Sequence, residues 1–592
     1  MTNKKRGKSR ASRRIGVLDA ETDPFEPGVF VEPFIWGVYL DDGSYREFTE
    51  TAKLVEWMRS QQDALTLYAH NGGKFDYHFL RHEIESDEPI SVVAGRLARC
   101  RIGTVELRDS LNLFGQTRLA DFAKTEIDYA KMKRDVRHLH MTEIRAYLRD
   151  DCVNLFQLVS KFIERYGMQF TQAGAAMKYW AKNYAPKSID GKPDVPASTP
   201  AFYEKFSPYY YGGRVQCFAS GHSREPFKVV DINSAYPRAM MDFHPYASSA
   251  VTLTHLPKDE HLAGALVTID AVSKGALPMR AADGSLFFPE DEQKVRRYHV
   301  SGWELIAGLE TGTVDLKRVI SAHYFGPGVS FKVYIEHFFN ERANAKLAED
   351  KAGDIFAKIF MNGLYGKFAS NPTKYREFVL SEPESGSYEH WIESGYEDVG
   401  EWGGRKMLTR PVPVSKHRYY NIATAASITG WVRAFLWRSL LKCDRPLYCD
   451  TDSIAAREVS ALDIGKKLGQ WKLEAECDEY AIAGKKNYAF HLTSASREPL
   501  RDIDPLDVRK QKPLAVRATH KEWEELRKRW KVACKGSDLS PRELIDAATG
   551  KTVLSLANVP NMSIHRNDFT FINRNVRSTY KDISKPDLYA AA

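Results

Sequence analysis

Seven acidic residues of this chain lie in apolar, strand-like or helix-like stretches: Asp19 and Glu21 in VLDAETD, Asp76 in GGKFDYHF, Asp151 in AYLRDDCV, Asp231 in VVDINSAYP, and Asp450 and Asp452 in LYCDTDSI. A carboxylate withdrawn from water is unfavourable unless something positive stands beside it. Each stretch must therefore fold into a turn that leaves the acid in solvent, or around a cation. For any acid taken singly, the turn or helix cap is the commoner outcome. The spacing favours the cation. Asp19 and Glu21, at i and i+2 on a strand, point to one face, and Tyr147 and Asp151, at i and i+4, share one side of a helix. Two same-face pairs from different elements can converge on one point. Carboxylate clusters of this kind hold Mg²⁺ or Mn²⁺, and metal-assisted phosphoryl chemistry uses two such ions about 3.5–4 Å apart.

The first four acids are separated from the last three by residues 181–200, rich in Pro, Lys, Asp and Ser, which read as a linker or loop. Ahead of it, 14–40 reads as two strands around a turn and 51–61 as a helix. TLYAH reads as a strand leading through a Gly-Gly turn into FDYHFLRHEI, and 142–166 as a helix with Thr142 as its N-cap. Together these make a compact α/β domain ending near Gly167. Beyond the linker come a strand at VVDINSAYP, a region punctuated by Pro and Gly over 243–330, one long helix from Phe331 to Phe368, and a helix over 421–442 that runs into LYCDTDSI.

With 592 residues, 43% of them hydrophobic, the chain is long enough for three or four domains with real cores. It has no run of eighteen apolar residues, and its basic start, MTNKKRGKSRASRR, is not followed by an apolar stretch. Neither a membrane span nor a secretory signal is expected, and the expected compartment is the cytoplasm. The seven cysteines form no CxxC pair and have no histidine at finger spacing, so reduced thiols are expected rather than a zinc site or disulfides. The net charge is +8, and basic residues cluster at Lys4–Arg14, 131–138 and Arg509–Lys535. Such clusters suit a polyanionic partner, although a solvated helix face explains any one of them equally well.

The motifs carry a resemblance. DAE at 19–21, NGGKFD at 71–76 and YLRDD at 147–151 resemble, in order, the exonuclease motifs DxE, Nx2-3FD and Yx3D of proofreading family B DNA polymerases. DINSAYP at 231–237, KIFMNGLYG at 358–366, YCDTDS at 448–453 and KNY at 486–488 resemble the polymerase motifs A, B and C and the KxY motif of the same family. YYGG at 210–213 and SLNLF at 110–114 are similar to the YxGG and SLx2h motifs of its protein-primed branch, the phage phi29 type. The resemblance runs from about residue 15 to 590, and its joint signal is far more specific than any one tetrapeptide.

This resemblance implies a mixed α/β multidomain fold: a basic tail (1–14), an RNase H-like 3′-5′ exonuclease domain (15–170), and a right-hand polymerase domain (171–592). Within the latter it implies a first insertion (243–330), fingers (331–368), a second insertion (380–410), palm (419–500) and thumb (501–592). It implies a replicase of a linear viral or mobile-element genome, primed by a terminal protein, processive, strand-displacing and proofreading. Each active site would use two Mg²⁺ or Mn²⁺ ions.

At the polymerase site the resemblance makes Asp231 and Asp452 metal ligands, with Asp450 beside them. Tyr236 would exclude a 2′-OH, Lys346 and Lys358 would touch the triphosphate, and Asn362 and Tyr365 would line the base pocket. On one continuous helix those two lysines would stand about 18 Å apart. At the exonuclease site Asp19, Glu21, Asp76 and Asp151 would bind metal, Tyr147 would orient water and Lys131 would steady the scissile phosphate. His70, Asn71, Phe75, Ser110 and Leu111 would hold the frayed single strand, while Tyr210, Gly212, Gly213, Arg433, Lys486 and Tyr488 would contact primer-template DNA. The family has Ser where Gly363 stands and Leu where Ala235 stands, which leaves fine nucleotide preference open.

The implied partners are primer-template DNA, dNTPs, a terminal protein and a single-strand binding protein, with no membrane, for a monomeric enzyme. Between Gly366 and Thr429 lie 62 residues in which Trp391, Tyr396 and Trp402 interleave with glycines. That is the pattern of a projecting hairpin, the alternative being an excursion packed on the palm. Two other functions stay open: a primer-independent polymerase of a mobile element, and an inactive nucleic-acid-binding subunit, for which keeping all seven acids would serve no purpose.

Overall fold

The computed structural model describes residues 14–551 apart from 25–30, 94–95, 116–126, 196–198, 327, 372–374, 384, 414–419, 494–528 and 535–538, and the backbone of 553–560 and 571–576. The basic tail up to Arg13, most of the basic run from Arg509 and most of the expected thumb lie outside the described residues.

The N-terminal part runs β1 (Arg14–Thr22), β2 (Pro33–Leu40), β3 (Tyr45–Phe48), α1 (Thr51–Arg59), β4 (Leu65–Ala69), a 3-10 turn over Gly72–Lys74, α2 (Asp76–Phe79), β5 (Pro89–Val93), β6 (Arg96–Ile102), β7 (Val105–Asp109), α3 (Leu111–Phe114) and the 26-residue α4 (Met141–Tyr166). β1, β4 and β7 pair in parallel at the middle of the sheet, and the strands outside them pair antiparallel. β4 and β7 are buried throughout, as expected where helices cover both faces. Ile144, Leu148, Cys152 and Leu155 of α4 form the face that α4 turns inward. Its first residue is Met141, with His140 before it making no side-chain cap; Thr142 lies inside the helix and is not its N-cap.

α5 (Gln172–Asn183) and α6 (Pro200–Phe206) lead to the second sheet. This is built from β8 (Val215–Cys217), β9 (Gly221–Ser223), β10 (Phe227–Ile232), which runs into α7 (Ala235–Met240), and four strands from later in the chain. Between them come β11 (Phe243–His244), β12 (Val251–Leu253), α8 (Asp259–Leu262), β13 (Leu266–Ser273), β14 (Met279–Arg280), β15 (Leu286–Phe287), β16 (Arg296–Ser301), α9 (Gly302–Glu310), β17 (Val314–Tyr324) and β18 (Val329–Ser330). β12, β17, β13 and β16 form a separate four-stranded sheet.

The helix expected from Phe331 to Phe368 is two helices, α10 (Lys332–Leu347) and α11 (Lys351–Phe368). Glu349 adopts a left-handed conformation (φ 54°), and the Asp350 side chain then caps α11 by accepting from the Gly353 N–H. A run of apolar residues at helical spacing cannot by itself reveal a three-residue reversal whose two arms keep the same periodicity.

β19 (Arg376–Ser381), α12 (Gly386–Glu393), β20 (Glu397–Trp402) and β21 (Arg405–Pro411) follow, then α13 (Ile422–Leu440), β22 (Asp444–Asp450), β23 (Ser453–Glu458), β24 (Trp471–Gly484) and β25 (Asn487–Leu492), and finally β26 (Trp530–Cys534), α14 (Pro541–Ala548), β27 (Val553–Pro560) and β28 (Phe571–Val576). The second sheet has the order β26-β25-β24-β10-β23-β22-β8, with β9 on β24.

The hairpin expected to project does form, as β20 and β21 turning at Gly403–Gly404, but it neither projects nor packs on the palm. β19 pairs with β5, so β20, β21 and β19 extend the N-terminal sheet to ten strands. Trp402 is buried with its ring edge-on to His78 (5.7 Å), and the buried Arg405 guanidinium donates to the carbonyls of Arg81 and Ile84. Trp402, and Trp391 whose indole N–H donates to Asp87 (3.0 Å), are thus interface residues, whereas Tyr396 packs on Trp391 within the segment itself.

Candidate active sites

β10 and the β22–β23 turn meet end to end. Asp231 pairs with Ser453, and the Ile232 N–H donates to the Asp452 carbonyl (2.8 Å). This brings Asp231 and Asp452 face to face. Burial, then the Asp452 charge, lifts Asp231 to about 7; burial, then the Asp450 charge, lifts Asp452 to about 6. Carboxyl groups held above their ordinary range by burial and by neighbouring acids mark a place suited to a cation. Asp450 is differently placed. Lys486 binds it with both oxygens at 2.8 and 2.6 Å, and the Lys486 N–H donates to Tyr448 Oη. Lys486, expected as a DNA contact, is exposed and acts here as counter-charge to Asp450. Tyr488 is buried and stacked on Phe490 (4.3 Å). Glu474, absent from the sequence-based set, adds to the negative field at both Asp231 and Asp452 and is ion-paired with Lys531. Nothing in its alternating strand context distinguishes it.

Among the described residues no three His, Cys, Asp or Glu side chains close around one point as a ready-made cage.

The Tyr236 and Tyr365 rings stack in parallel, 4.2 Å apart at 3°. Lys346 and Lys358, both exposed, stand on the two arms of the α10–α11 hairpin rather than along one helix, so the 18 Å separation does not apply. Asn362 donates to the Lys358 carbonyl within its own helix.

Arg433, expected as a DNA contact, is not at the surface. It is fully buried, ion-paired with Glu304 of α9 (2.7 Å), and donates to the carbonyls of Tyr211 and Gly212 (2.7 and 2.8 Å). It holds the YYGG segment from behind. The Tyr210 carbonyl is held by Arg280, Gly212 is exposed, and Gly213 lies against Thr451, where a Cβ would come within 2.6 Å.

In the N-terminal part, Asp19 and Glu21 of β1, Asp76 at the start of α2, and Tyr147 and Asp151 of α4 converge. The Cys152 thiol, itself fully buried, is pushed far up by burial and then by the charges of Asp19, Asp151, Glu21 and Asp76. Asp76 is raised well above the carboxylate range by burial and Asp19, and its Oδ1 is buried without a hydrogen-bond partner. An orphaned carboxylate oxygen in a cluster of acids fits a cation. Tyr147 lies 3.3 Å from Tyr129 Oη. Lys131 is held by both oxygens of Glu143 (2.7 and 2.8 Å), one helical turn before Tyr147, instead of pointing freely into the cluster. Arg134 and Arg137, from the same basic run, are both bound to the buried Asp23.

His70 Nδ1 meets Ser110 Oγ at 3.1 Å, joining the two segments expected to hold single strands. Asp109, not in the sequence-based set, organises both. It accepts from the N–H groups of Asn71 (3.1 Å), Gly73 (3.2 Å) and Leu111 (2.9 Å) and pairs with Arg96 (2.9 Å), which also donates to the Asn71 side chain. Phe75 packs edge-on against Phe79. None of the described helices is long and apolar enough to cross a membrane.

Residues 123–456 match the family described as DNA polymerase type B, organellar and viral. The DNA-directed DNA polymerase of Enterobacteria phage PRD1 is 33% identical over 589 residues, covering 97% of this chain and 100% of the phage protein. The DNA polymerase of Bacillus phage phi29 is 27% identical over 281 residues, 44% of each chain. In structure, phi29 DNA polymerase complexed with primer-template DNA and incoming nucleotides superposes with a TM-score of 0.67 at 18% identity over 96% of this chain and 100% of that one. The binary complex of the same polymerase gives 0.69 at 17% identity over the same shares. With the family matched over more than half its length and a full-length relative at this identity, the chain belongs to the type B DNA polymerases of organelles and viruses, as a DNA-directed DNA polymerase of the phage type.

Proposed function

We propose that this enzyme replicates a linear genome from a protein primer, displaces the non-template strand as it goes, and proofreads with a 3′-5′ exonuclease in its N-terminal part, acting as a monomer in the host cytoplasm. Its substrates are primer-template DNA and dNTPs, with a terminal protein and a single-strand binding protein as partners. The observation that carries the reading is the existence of two separate carboxylate clusters, one at Asp231 and Asp452, both raised by burial and neighbouring acids, and one around Cys152, in which Asp76 is raised by burial and Asp19. Divalent ions, Mg²⁺ or Mn²⁺, two per site, would supply activation of the attacking oxygen and neutralisation of the leaving one. Asp231 and Asp452 would hold them at the first site, and Asp19, Glu21, Asp76 and Asp151 at the second.

The protein's own groups do the rest. Lys358 and Lys346 attract the triphosphate, and the Tyr236–Tyr365 stack forms a wall against which a 2′-hydroxyl collides. In the N-terminal site Tyr147 orients the attacking water, and Lys131, released from Glu143 when a phosphate arrives, faces the same side of α4. Strand displacement draws support from the β19–β5 junction, which ties the polymerase part to the N-terminal part a second time, beyond the chain connection.

Primer extension and degradation of a labelled single strand, each with Mg²⁺ and with EDTA, test the proposal, with and without a candidate terminal protein. Asp452→Ala should abolish extension and spare degradation, and Asp19→Ala with Glu21→Ala should do the reverse. Loss of both activities from either change would refute two independent sites. Initiation on a linear duplex end in the absence of any terminal protein would refute protein priming.

A further inference from the structure

Thr451 stands between Asp450 and Asp452 in a left-handed conformation, φ 61°. For a β-branched residue this is an outlier that persists only where the surroundings impose it. The surroundings are on one side. The Thr451 N–H donates to the Arg214 carbonyl (2.7 Å), and the preceding residue, Gly213, leaves Thr451 a place only because it has no Cβ. Thr451 Oγ1 in turn donates to Asp450 Oδ1 (3.0 Å). The pairing of β8 with β22 puts Val215 opposite Asp450, so Arg214 is the residue that meets the turn.

Arg214 is also immobilised. It is 0% exposed, and its guanidinium carbon lies 4.1 Å from the Phe288 ring centroid and 4.5 Å from that of Trp437. Nη1 donates to the Gly275 carbonyl (2.8 Å) and Nε to Gln216 Oε1 (3.0 Å), while Gln216 donates onward to Glu290 (2.7 Å). Gly275, Phe288 and Glu290 all belong to the 243–330 region, whereas Arg214 and Trp437 do not. A planar fork held between two rings is a use of arginine that lysine cannot copy.

We propose that Arg214 is a positioning residue of the polymerase site: its guanidinium is bolted to the 243–330 region, and its carbonyl holds the Thr451 turn that aims Asp450 and Asp452. That region is thereby part of the polymerase machinery and not only an appended surface. The inference rests on reading Asp231 and Asp452 as the polymerase carboxylates. Displacement of reacting groups by about 1 Å costs around a hundredfold in rate. Loosening the bolt should therefore lower the chemical step and the affinity for metal, while leaving the binding of DNA as it is.

The test compares the full-length enzyme with Arg214→Ala, Arg214→Lys, Phe288→Leu and Asp452→Ala in single-nucleotide incorporation across a Mg²⁺ titration, with primer-template affinity measured by gel shift. Arg214→Ala should slow incorporation about a hundredfold and raise half-saturating Mg²⁺ several-fold with unchanged DNA affinity. Arg214→Lys should rescue little, and Phe288→Leu should shift the Mg²⁺ requirement in the same direction by less. Loss of incorporation and DNA affinity in parallel at an unchanged Mg²⁺ requirement would overturn the inference, as would full activity of Arg214→Ala. Should Arg214→Ala not fold, an unchanged Mg²⁺ requirement in Phe288→Leu overturns it by itself. Activity surviving in Asp452→Ala would instead condemn the assignment of the site, whatever Arg214 does.

Discussion

Asp109 ends a strand and precedes SLNLF, and in the sequence it looks like any turn aspartate. In the fold it is buried and receives three N–H groups and the Arg96 guanidinium. Breaking a buried pair by removing one partner costs roughly 3–5 kcal/mol, because the other charge is left uncompensated. Asp109→Asn should therefore unsettle the His70–Gly73 and Ser110–Leu111 segments together. Degradation of a labelled single strand should fall about a hundredfold while extension of a paired primer persists; equal rates in the variant would show that the segments hold without it. Asp231 makes a prediction of the opposite sign. Its carboxyl titrates near 7, above its unfolded value, so its favourable contribution to stability is complete at acid pH and is lost as pH rises through 7. In EDTA, Asp231→Asn should thus raise the melting temperature by about 2 °C at pH 8, and the gain should shrink toward pH 5. A gain larger at pH 5 than at pH 8 would contradict the burial argument. The variant should be inactive in extension at every pH.

At the level of elements, the α10–α11 hairpin lies against α4, the helix that carries Tyr147 and Asp151. Phe356 and Phe360 of α11 meet Phe162 and Tyr166 of α4, the Tyr166–Phe360 rings stacking at 4.1 Å, and Phe114 stacks on Phe356 at 5.9 Å. At the tip, Asp350 both caps α11 and faces Lys161 and Arg165 at 3.9 and 3.5 Å. Magnitudes separate the two roles. An N-cap contributes about 1 kcal/mol, whereas ion pairs as exposed as these contribute about 0.5 kcal/mol or less. Asp350→Ala should therefore loosen the start of α11 and raise the KM for dNTP a few-fold with kcat largely kept, while Lys161→Ala with Arg165→Ala should leave both near wild type. Equal effects from the two changes would mean that the contact with α4, not the cap, sets the helix.

For the whole molecule, the ten-stranded sheet matters most, because three of its strands come from residues 376–411 and the rest from residues 14–109. Deleting Ser385 to Met407 would remove Trp402 from its buried place beside His78 and strip the Arg81 and Ile84 carbonyls of the Arg405 guanidinium. Loss of a buried tryptophan alone costs about 3–5 kcal/mol. The deletion should accordingly lower the stability of the N-terminal part and its nuclease together with long synthesis through duplex. Synthesis through duplex lost at wild-type stability and nuclease activity would point to a strand-separating role for the hairpin that owes nothing to its packing.

The mixed multidomain class came from the motif resemblance, while local chemistry and periodicity were enough for the α/β character of the N-terminal part, the strands around Asp19 and Asp231, the helix that carries Tyr147 and Asp151, and the pairing of acids by spacing. These depend on neighbours within a few residues, where the backbone repeat dictates which side chains share a face. What only the tertiary structure decided depends on residues far apart in the chain. Arg433 turned inward to Glu304, 129 residues away, and Lys486 turned to Asp450. The long helix of 331–368 folded back on itself because Glu349 takes a left-handed conformation and Asp350 restarts the helix. Asp109, Arg214 and Trp402 took roles that their own segments do not announce. A charge or an aromatic ring carries no record of its partner in its own segment: burial and pairing are settled when the sheets close, by whichever distant group can satisfy a desolvated donor, acceptor or apolar face.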